Sequence, residues 1–372
     1  MQFSITSVSS IAQAWLCMID PCCLTCTFYS LWSTVTETEH HLSIEPPSSI
    51  IMWLPLLVTV GLILLYRWYR QSQILKNLSD KYVFITGCDT GFGNLLARQL
   101  DKRGMKVLAS CLTEKGAENL KKETSSRLKT IVLDVSDSEN VELAVDWIEQ
   151  QVKEEGLWGL VNNAGISIPT APNGWLHKHD FVKVLSVNLL GMVDVTLKLL
   201  PLIIKAQGRI INISSVLGRL SIAGGGYSIS RFGVEAFSDS LRRELRPFGV
   251  KVSVIEPSSY KTPATDVKTT LQSIHSAWSQ APQWAKETYG QKYFEVYCRF
   301  IQYRLSKCNP DITQVTDCME HALTAIYPWT RYSAGWITKL FFLPVSYLPT
   351  FMADYLLASP LSKPQIFHAD GS

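Results

Sequence analysis

Two serines, Ser214 and Ser215, are followed twelve residues after Ser215 by Tyr227, and Arg231 comes one helical turn later. A spacing of four puts Tyr227 and Arg231 on one face of a helix. A phenol, with an ordinary pKa of about 10, is a weak base near neutrality, and a fixed cation beside it favours the phenolate. Such a set suits the passage of a proton to or from an alcohol oxygen, with a serine hydroxyl holding that oxygen in reach. Ser215 is the expected serine, because alternation along a strand points Ser214 to the other face.

A second group of residues has the types needed to hold a nucleotide. Thr86-Gly87-Cys88-Asp89-Thr90-Gly91-Phe92-Gly93 follows an apolar run and opens a helical pattern. Glycines there let the backbone turn tightly and approach a pyrophosphate, whose charge a helix N-terminus stabilises. Asp134 stands at the end of a third run (LDV) and Asn162-Asn163-Ala164-Gly165 at the end of a fourth. A carboxylate at the first position can accept the adenine amino group, and the small-residue turn can lie along the cofactor. A helix N-cap and a plain turn are the competing explanations.

These residues need a scaffold, and the pattern supplies one. From Lys81, short β-branched runs alternate with amphipathic stretches: KYVFIT, MKVLASC, KTIVLDV, LWGLVNN, GRIINIS and VKVSVIEP, with helices over 138–154, about 180–205 and 227–247 among the connections. Six parallel strands joined by crossover helices imply an α/β fold, a doubly wound Rossmann-type sheet with helices on both faces. Its ligand crevice lies at the carboxyl ends of the strands.

With TGxxxGxG, NNAG, the Ser and Tyr pair and a strand-end Asn188, the chain resembles the short-chain dehydrogenase/reductase family over roughly residues 80–350. The strings YVFITGCDTGFGNLLARQL, GLWGLVNNAG, GGGY, FGVEAFSDSLRREL and MEHAL are similar to the microsomal retinol and hydroxysteroid dehydrogenases. The resemblance implies Tyr227 as acid/base, Ser215 as the residue that orients the substrate oxygen, Asn188 as a proton-relay anchor and Arg231 as a ribose ligand. It implies cofactor contacts from Thr86, Gly87, Asp89, Gly91, Phe92, Gly93, Asp134, Asn162, Ala164, Gly165, Tyr227, Arg231 and Thr262, the last to the nicotinamide carboxamide. It also implies NAD as cofactor, with NADP as the alternative, and a lipophilic alcohol or ketone, retinoid or 3α-/17β-hydroxysteroid, as substrate. A homodimer through helices 180–205 and 227–247 is expected on the same ground.

Two positions depart from the family pattern. Arg231 replaces the lysine of Tyr-x-x-x-Lys, keeping the charge but not the compact ammonium. Ser258 replaces the glycine of Pro-Gly and is strained if that position needs a positive φ. A catalytically impaired retinoid- or steroid-binding relative is therefore the alternative to an active enzyme. The second strand ends at Ser110-Cys111-Leu112, with neither the acid that selects NAD nor the base that selects NADP.

The remaining chain sets the surroundings. Thirty-five basic and 32 acidic residues give a net charge of +3, dispersed in a way that shows no nucleic-acid footprint. Nine irregularly placed cysteines make no disulfide framework. The lone Cys23-x-x-Cys26, near His40 and His41, makes no metal site. Ile50 to Tyr66 is uncharged and is followed by Arg67 and Arg70, the profile of a retained membrane anchor with the folded domain on the cytosolic side. The expected organisation is an irregular extension over 1–49, an anchor over 50–70, a catalytic domain over 80–350 and a tail over 351–372, at the endoplasmic reticulum (microsomal) membrane. Segments 166–178 and 260–305 are expected to cover the substrate, the second with eight aromatic residues from Trp278 to Tyr303. Trp336–Leu357, broken by prolines, is a poor second span; it suits either a surface segment at the membrane or a helix packed on the sheet. His321 is expected to be structural.

Overall fold

The computed structural model describes residues 48–357, and the chain divides into two units between Tyr66 and Arg67. The Cys23/Cys26 pair, His40, His41 and nearly all of the expected 1–49 extension lie outside the described residues. In the first unit, helix α1 (Ser48–Ser72) carries the uncharged run and continues across the boundary. Its 25 residues make a rod of about 37 Å, against a hydrocarbon thickness of about 30 Å. Leu57, Leu64 and Leu65 on it are exposed.

The second unit is built on seven parallel strands in the order β3-β2-β1-β4-β5-β6-β7. These are β1 (Tyr82–Ile85), β2 (Lys106–Cys111), β3 (Lys129–Val132), β4 (Gly159–Asn162), β5 (Arg209–Ile213), β6 (Lys251–Pro257) and β7 (Arg331–Ala334). The six expected strands are present, and β7 is an addition: it pairs with β6 from Val254↔Arg331 to Pro257↔Ala334. Strand order reverses between β1 and β4, which both pair in parallel with the same register direction, and a doubly wound sheet opens its crevice at that switch point.

Alternate residues of the strands feed two cores. Val83 and Ile85 meet helix α2 (Gly91–Lys102) through Leu96 and Leu100, and helix α10 (Thr313–Thr324) through Val315 and Met319. Phe84 points the other way, onto Ile148 of α4 (Ser138–Val152) and Val195 and Leu199 of α6 (Met192–Lys205). The wide apolar stretch 178–205 would be long enough to cross a membrane, yet its apolar face is spent on this core. Helix α3 is Glu114–Lys122, α5 is Lys178–Leu185, and α7 is Gly226–Leu245.

The expected single helix over 180–205 is interrupted by a π-turn at Ser186–Gly191. Asn188 sits in that turn, so it is a helical residue and not a strand-end one. Gly191 explains the wide turn in part, since a Cβ there would lie 2.3 Å from the Val135 carbonyl oxygen. His321 is structural as expected, with Nδ1 2.8 Å from Tyr332 Oη and Nε2 2.9 Å from the Gln71 carbonyl.

Helices α8 (Val267–Gln280) and α9 (Gln283–Ser306) form a cap with its own core. Trp175, 1% exposed, is its centre, ringed by Trp278, Tyr289, Tyr293, Phe294 and Tyr297 at centroid distances of 4.6 to 6.2 Å. At the C-terminal end, α11 (Thr350–Leu357) buries Ala353 but exposes Phe351 and Tyr355. Helix α11 is thus at the surface, while the earlier part of the 336–357 segment buries Thr338 and Val345 and brings Phe342 to the cavity at the strand ends.

Candidate active site

A cavity of about 730 Å³ opens at the carboxyl ends of the strands, within the range that holds a small-molecule ligand. Gly87, Asp89, Gly91, Phe92, Asp134, Ala164, Gly165, Ser215, Tyr227, Arg231 and Thr262 all line it. The other residues expected at the site, Thr86, Gly93, Asn162 and Asn188, stand behind the wall and hold it.

Thr86 Oγ1 accepts from the backbone N–H groups of Asn163 and Ala164, both at 3.0 Å. Asn163 Nδ2 returns two bonds, to the carbonyls of Thr86 and Gly87, each at 2.9 Å. The glycine turn and the NNAG turn are thereby one structure. Gly87 is left-handed at φ +71°, and a Cβ on it would fall 2.8 Å from Ala164 Cα, so only glycine satisfies both demands. Gly93 is fixed by the same contact, with a Cβ 2.5 Å from Asn163 Nδ2. Asn162 Nδ2 donates to Thr196 Oγ1 and Asn212 Oδ1, both at 2.8 Å, inside the core. Asn162, expected to contact the cofactor, is thus turned into the core and does not line the cavity; Asn163 makes the tie between the two turns, and its place in the motif was the only sequence signal for it.

Helix α2 starts immediately after this turn. Its N-cap Thr90 makes no side-chain capping bond, which leaves the first-turn N–H groups and the positive end of the helix facing the cavity. A dinucleotide pyrophosphate fits that opening. Asp134 adopts neither alternative of the sequence reading in full: its Oδ1 accepts from Ser136 N at 2.9 Å and Ser136 Oγ at 2.7 Å, while the N-cap of α4 is Asp137. The other carboxylate oxygen remains on a residue that lines the cavity.

On the opposite wall, the two serines follow directly after β5. Ser215 Oγ donates to the Pro257 carbonyl at 3.3 Å and accepts from Leu217 N at 3.1 Å. Ser214 Oγ donates to the Arg231 carbonyl at 3.3 Å, facing helix α7 as alternation requires. Tyr227 stands in the first turn of α7, and the guanidinium of Arg231 lies 4.9 Å from its ring centroid. Arg231 is 6% exposed. Its Nη1 donates to the Ile213 carbonyl at 2.7 Å, and a Cβ on Gly165 would reach within 2.7 Å of its Nη2. Nε is buried with no protein partner.

Asn188 serves this wall from behind. Its Oδ1 accepts from Ile166 N and its Nδ2 donates to Ile166 O, both at 2.8 Å; Nδ2 also donates to Ser230 Oγ at 3.1 Å. A π-turn places the amide where a regular helix would not, and it fastens the loop after NNAG to helix α7. Ser258 is free of the strain expected of it, because its φ is not positive.

The apolar part of the cavity comes from Ile166, Ile168 and Leu305, which lie in the two segments expected over the substrate, and from Leu217, Ile222 and Phe342, which the sequence did not single out. None of the eight aromatic residues from Trp278 to Tyr303 lines it, although Tyr260, Thr262, Thr270, Arg304 and Leu305 of the same segment do. Five of them, Trp278, Tyr289, Tyr293, Phe294 and Tyr297, pack around Trp175, while Trp284 and Tyr303 are exposed.

Among proteins of known kind, a family model described as short chain dehydrogenase matches residues 81–272. Retinol dehydrogenase 7 of Rattus norvegicus is 56% identical over 313 residues, 84% of this chain and 99% of that protein. Human retinol dehydrogenase 16 is 58% identical over 306 residues, 82% of this chain and 96% of its own length. Human 17-beta-hydroxysteroid dehydrogenase type 6 is 53% identical over 313 residues, covering 84% and 99%. A short-chain dehydrogenase/reductase from Burkholderia phymatum, solved in complex with NAD, has a TM-score of 0.60 at 21% identity over 77% of this chain and 100% of that one. One from Burkholderia cenocepacia, in complex with NADP, has a TM-score of 0.56 at 18% identity over 75% and 98%. The two solved structures bear on the fold.

Proposed function

The chain belongs to the short-chain dehydrogenase family, an oxidoreductase family, and on that premise we propose that it oxidises a retinol or a 3α- or 17β-hydroxysteroid, or reduces the corresponding carbonyl, at the wall formed by Ser215 and Tyr227. The observation that carries this reading is the meeting of three things on one cavity: the glycine turn at an uncapped helix start, Tyr227 with a guanidinium behind its ring, and an apolar lining.

Gly87, Gly91, Asp134 and Ala164, which line the cavity, would hold a nicotinamide dinucleotide, and that group would supply the hydride acceptor or donor. Ser215 Oγ, already fixed by Leu217 N and Pro257 O, positions the substrate oxygen. Tyr227 Oη takes the hydroxyl proton as the carbonyl forms and returns it in the reverse direction. Arg231 places a fixed positive charge behind the phenol ring. Asn188, by holding Ile166 against α7, keeps the two walls at a constant separation. Ile166, Leu217, Ile222 and Phe342 favour a large apolar substrate over a small polar one.

Helix α1, with Arg67, Arg70 and Lys76 after its apolar run, supports a membrane-anchored protein of the endoplasmic reticulum with the domain of residues 80–350 in the cytosol. A lipophilic substrate would reach such an enzyme from the bilayer. A dimer through α5–α6 and α7 completes the proposal. One observation favours the second reading, an impaired binder: Nη1 of Arg231 is committed to Ile213 O and is withdrawn from any proton relay.

Single-turnover hydride transfer in membranes carrying the protein, with all-trans-retinol and a 3α-hydroxysteroid and with each nicotinamide cofactor, tests both. Turnover by the wild type and its loss in Tyr227→Phe is the expected result. Turnover only after Arg231→Lys would establish the binder instead.

A further inference from the structure

Ser215 is held from two sides, and each side has a second fastening further out. Its Oγ accepts from Leu217 N and donates to the Pro257 carbonyl. Two residues beyond Leu217 stands Arg219, whose backbone N–H closes the single-turn helix Val216–Gly218 by bonding to the Val216 carbonyl at 3.0 Å. One residue before Pro257 stands Glu256, buried on β6. Arg219 Nε and Glu256 Oε1 lie 2.9 Å apart, so an ion pair spans the same two segments as the bond from Ser215 to Pro257.

We propose, resting on the role given to Ser215 above, that Arg219 and Glu256 are positioning residues for the reaction: their ion pair clamps the turn that carries Ser215 against β6 and so sets where Ser215 Oγ meets the substrate oxygen. Neither residue lines the cavity, and both act through Ser215 and not on the substrate. The turn has little freedom on its other side, because a Cβ on Gly218 would fall 2.6 Å from Ser214 Oγ and 2.9 Å from the Arg231 carbonyl oxygen. It is pressed between α7 and the clamp. A displacement of about 1 Å at such a place can cost about 100-fold in rate.

The charges around Glu256 separate the clamp from the rest of the network. From β7, Arg331 Nη1 comes within 3.5 Å of Oε1 and Ser333 Oγ donates to Oε2 at 3.2 Å. Arg331 is shared with Glu235 and Asp239 of α7, so it braces the sheet edge, whereas Arg219 is the cation on the serine turn. Burial pushes the Glu256 carboxyl up, and Arg219 draws it back toward the ionised form. A carboxylate taken out of water in this way is tolerated only with close partners. Arg219 also reaches the C-terminal segment: its Nη2 donates to Tyr347 Oη at 3.4 Å. Arg219, Glu256, Val216 and Phe342 border one small void, and Phe342 continues into the apolar lining of the cavity.

Single-turnover hydride transfer by the full chain in membranes, with NADH binding and melting temperature measured beside it, tests the clamp. Arg219→Met, which keeps the length and removes the charge, is expected to lower the rate by about 30-fold and leave NADH affinity unchanged. Glu256→Asp keeps the charge but draws the carboxylate back by one methylene, and is expected to lower the rate by about 10-fold. Arg219→Lys restores a cation and is expected to recover most of the rate. Arg331→Met and the milder Ser333→Ala, which loosen Glu256 from the β7 side only, are expected to lower the melting temperature and keep the wild-type rate. Wild-type rates in Arg219→Met and Glu256→Asp overturn the proposal. So does a loss of rate in Ser333→Ala as large as theirs, which would make the effect one of stability. Hydrogen exchange reads the clamp without turnover: the Leu217 N–H, bonded to Ser215 Oγ, is expected to exchange faster in Arg219→Met while β1 and β4 stay protected. A wild type that turns over neither alcohol overturns the catalytic reading of Ser215, and unchanged exchange at Leu217 overturns the clamp, so the two failures are distinct.

Discussion

Arg231 donates a 2.7 Å hydrogen bond from Nη1 to the carbonyl of Ile213, the last residue of β5. The guanidinium is therefore a brace between α7 and the strand that presents the serines, in addition to being the charge behind Tyr227. A lysine ammonium is compact and rotates freely. It would give up the brace and recover the mobility a proton relay needs. Arg231→Lys is expected to raise kcat by about 10-fold, and Arg231→Met to lower it by about 100-fold, as loss of charge beside an acid/base costs; stopped-flow nicotinamide fluorescence reads both.

The two adjacent serines separate cleanly by their partners. Ser215→Ala removes the hydroxyl that positions the substrate and is expected to lower kcat/KM by about 100-fold with little change in melting temperature. Ser214 Oγ bonds to the Arg231 carbonyl in a buried place. Ser214→Ala is expected to show first as a loss of about 1 kcal/mol in stability. Parallel denaturant curves and initial rates would reveal an exchange of these roles.

Trp175 is the hub of the cap's aromatic core. Truncation to alanine leaves a cavity ringed by five aromatic side chains and is expected to cost about 3 to 5 kcal/mol. The loss should fall on the cap and spare the sheet. Hydrogen exchange is expected to rise over α8 and α9 while β1, β4 and β5 stay protected.

Cys88 and Cys111 are wholly buried. Burial pushes both thiols up, Cys111 to about 12, while in the unfolded chain each ionises near the ordinary pKa of about 8.5. Above that pH the unfolded state loses protons that the folded state keeps, so stability is fully present below about pH 8.5 and falls as pH rises toward the folded values. Urea midpoints are expected to decline between about pH 8.5 and 10.5 in the wild type. The decline should be shallower in a Cys88→Ala, Cys111→Ala double variant.

Six strands were legible because buried parallel strands are continuous apolar runs. The seventh was not. Arg331-Tyr332-Ser333-Ala334 is four residues long and alternates, burying Tyr332 and Ala334, while Arg331 pairs with Glu235 and Asp239 and Ser333 Oγ donates to Glu256 at 3.2 Å. A short edge strand held by ion pairs has no apolar signature.

At the site, motif spacing located Ser215, Tyr227, Arg231 and the glycine turn. Segment 260–305 borders the cavity through Tyr260, Thr262 and Leu305, but its aromatic run from Trp278 to Tyr303 does not, because composition does not report what a ring packs against. Asn188 acts through contacts with residues distant in sequence, Ile166 among them, and such contacts exist only after folding.

Strand β7 fixes an order of events during synthesis. The outer edge of β6 exposes its row of N–H and C=O groups until residues 331–334 have emerged, although the cap helices α8 and α9 are translated earlier. An open edge of that kind is a template for pairing with another chain. A chain ended by a premature stop between α9 and β7 would carry every residue of the Ser215, Tyr227 and Arg231 set and still be lost to aggregation. Its phenotype would be absence of protein, not presence of an inactive one.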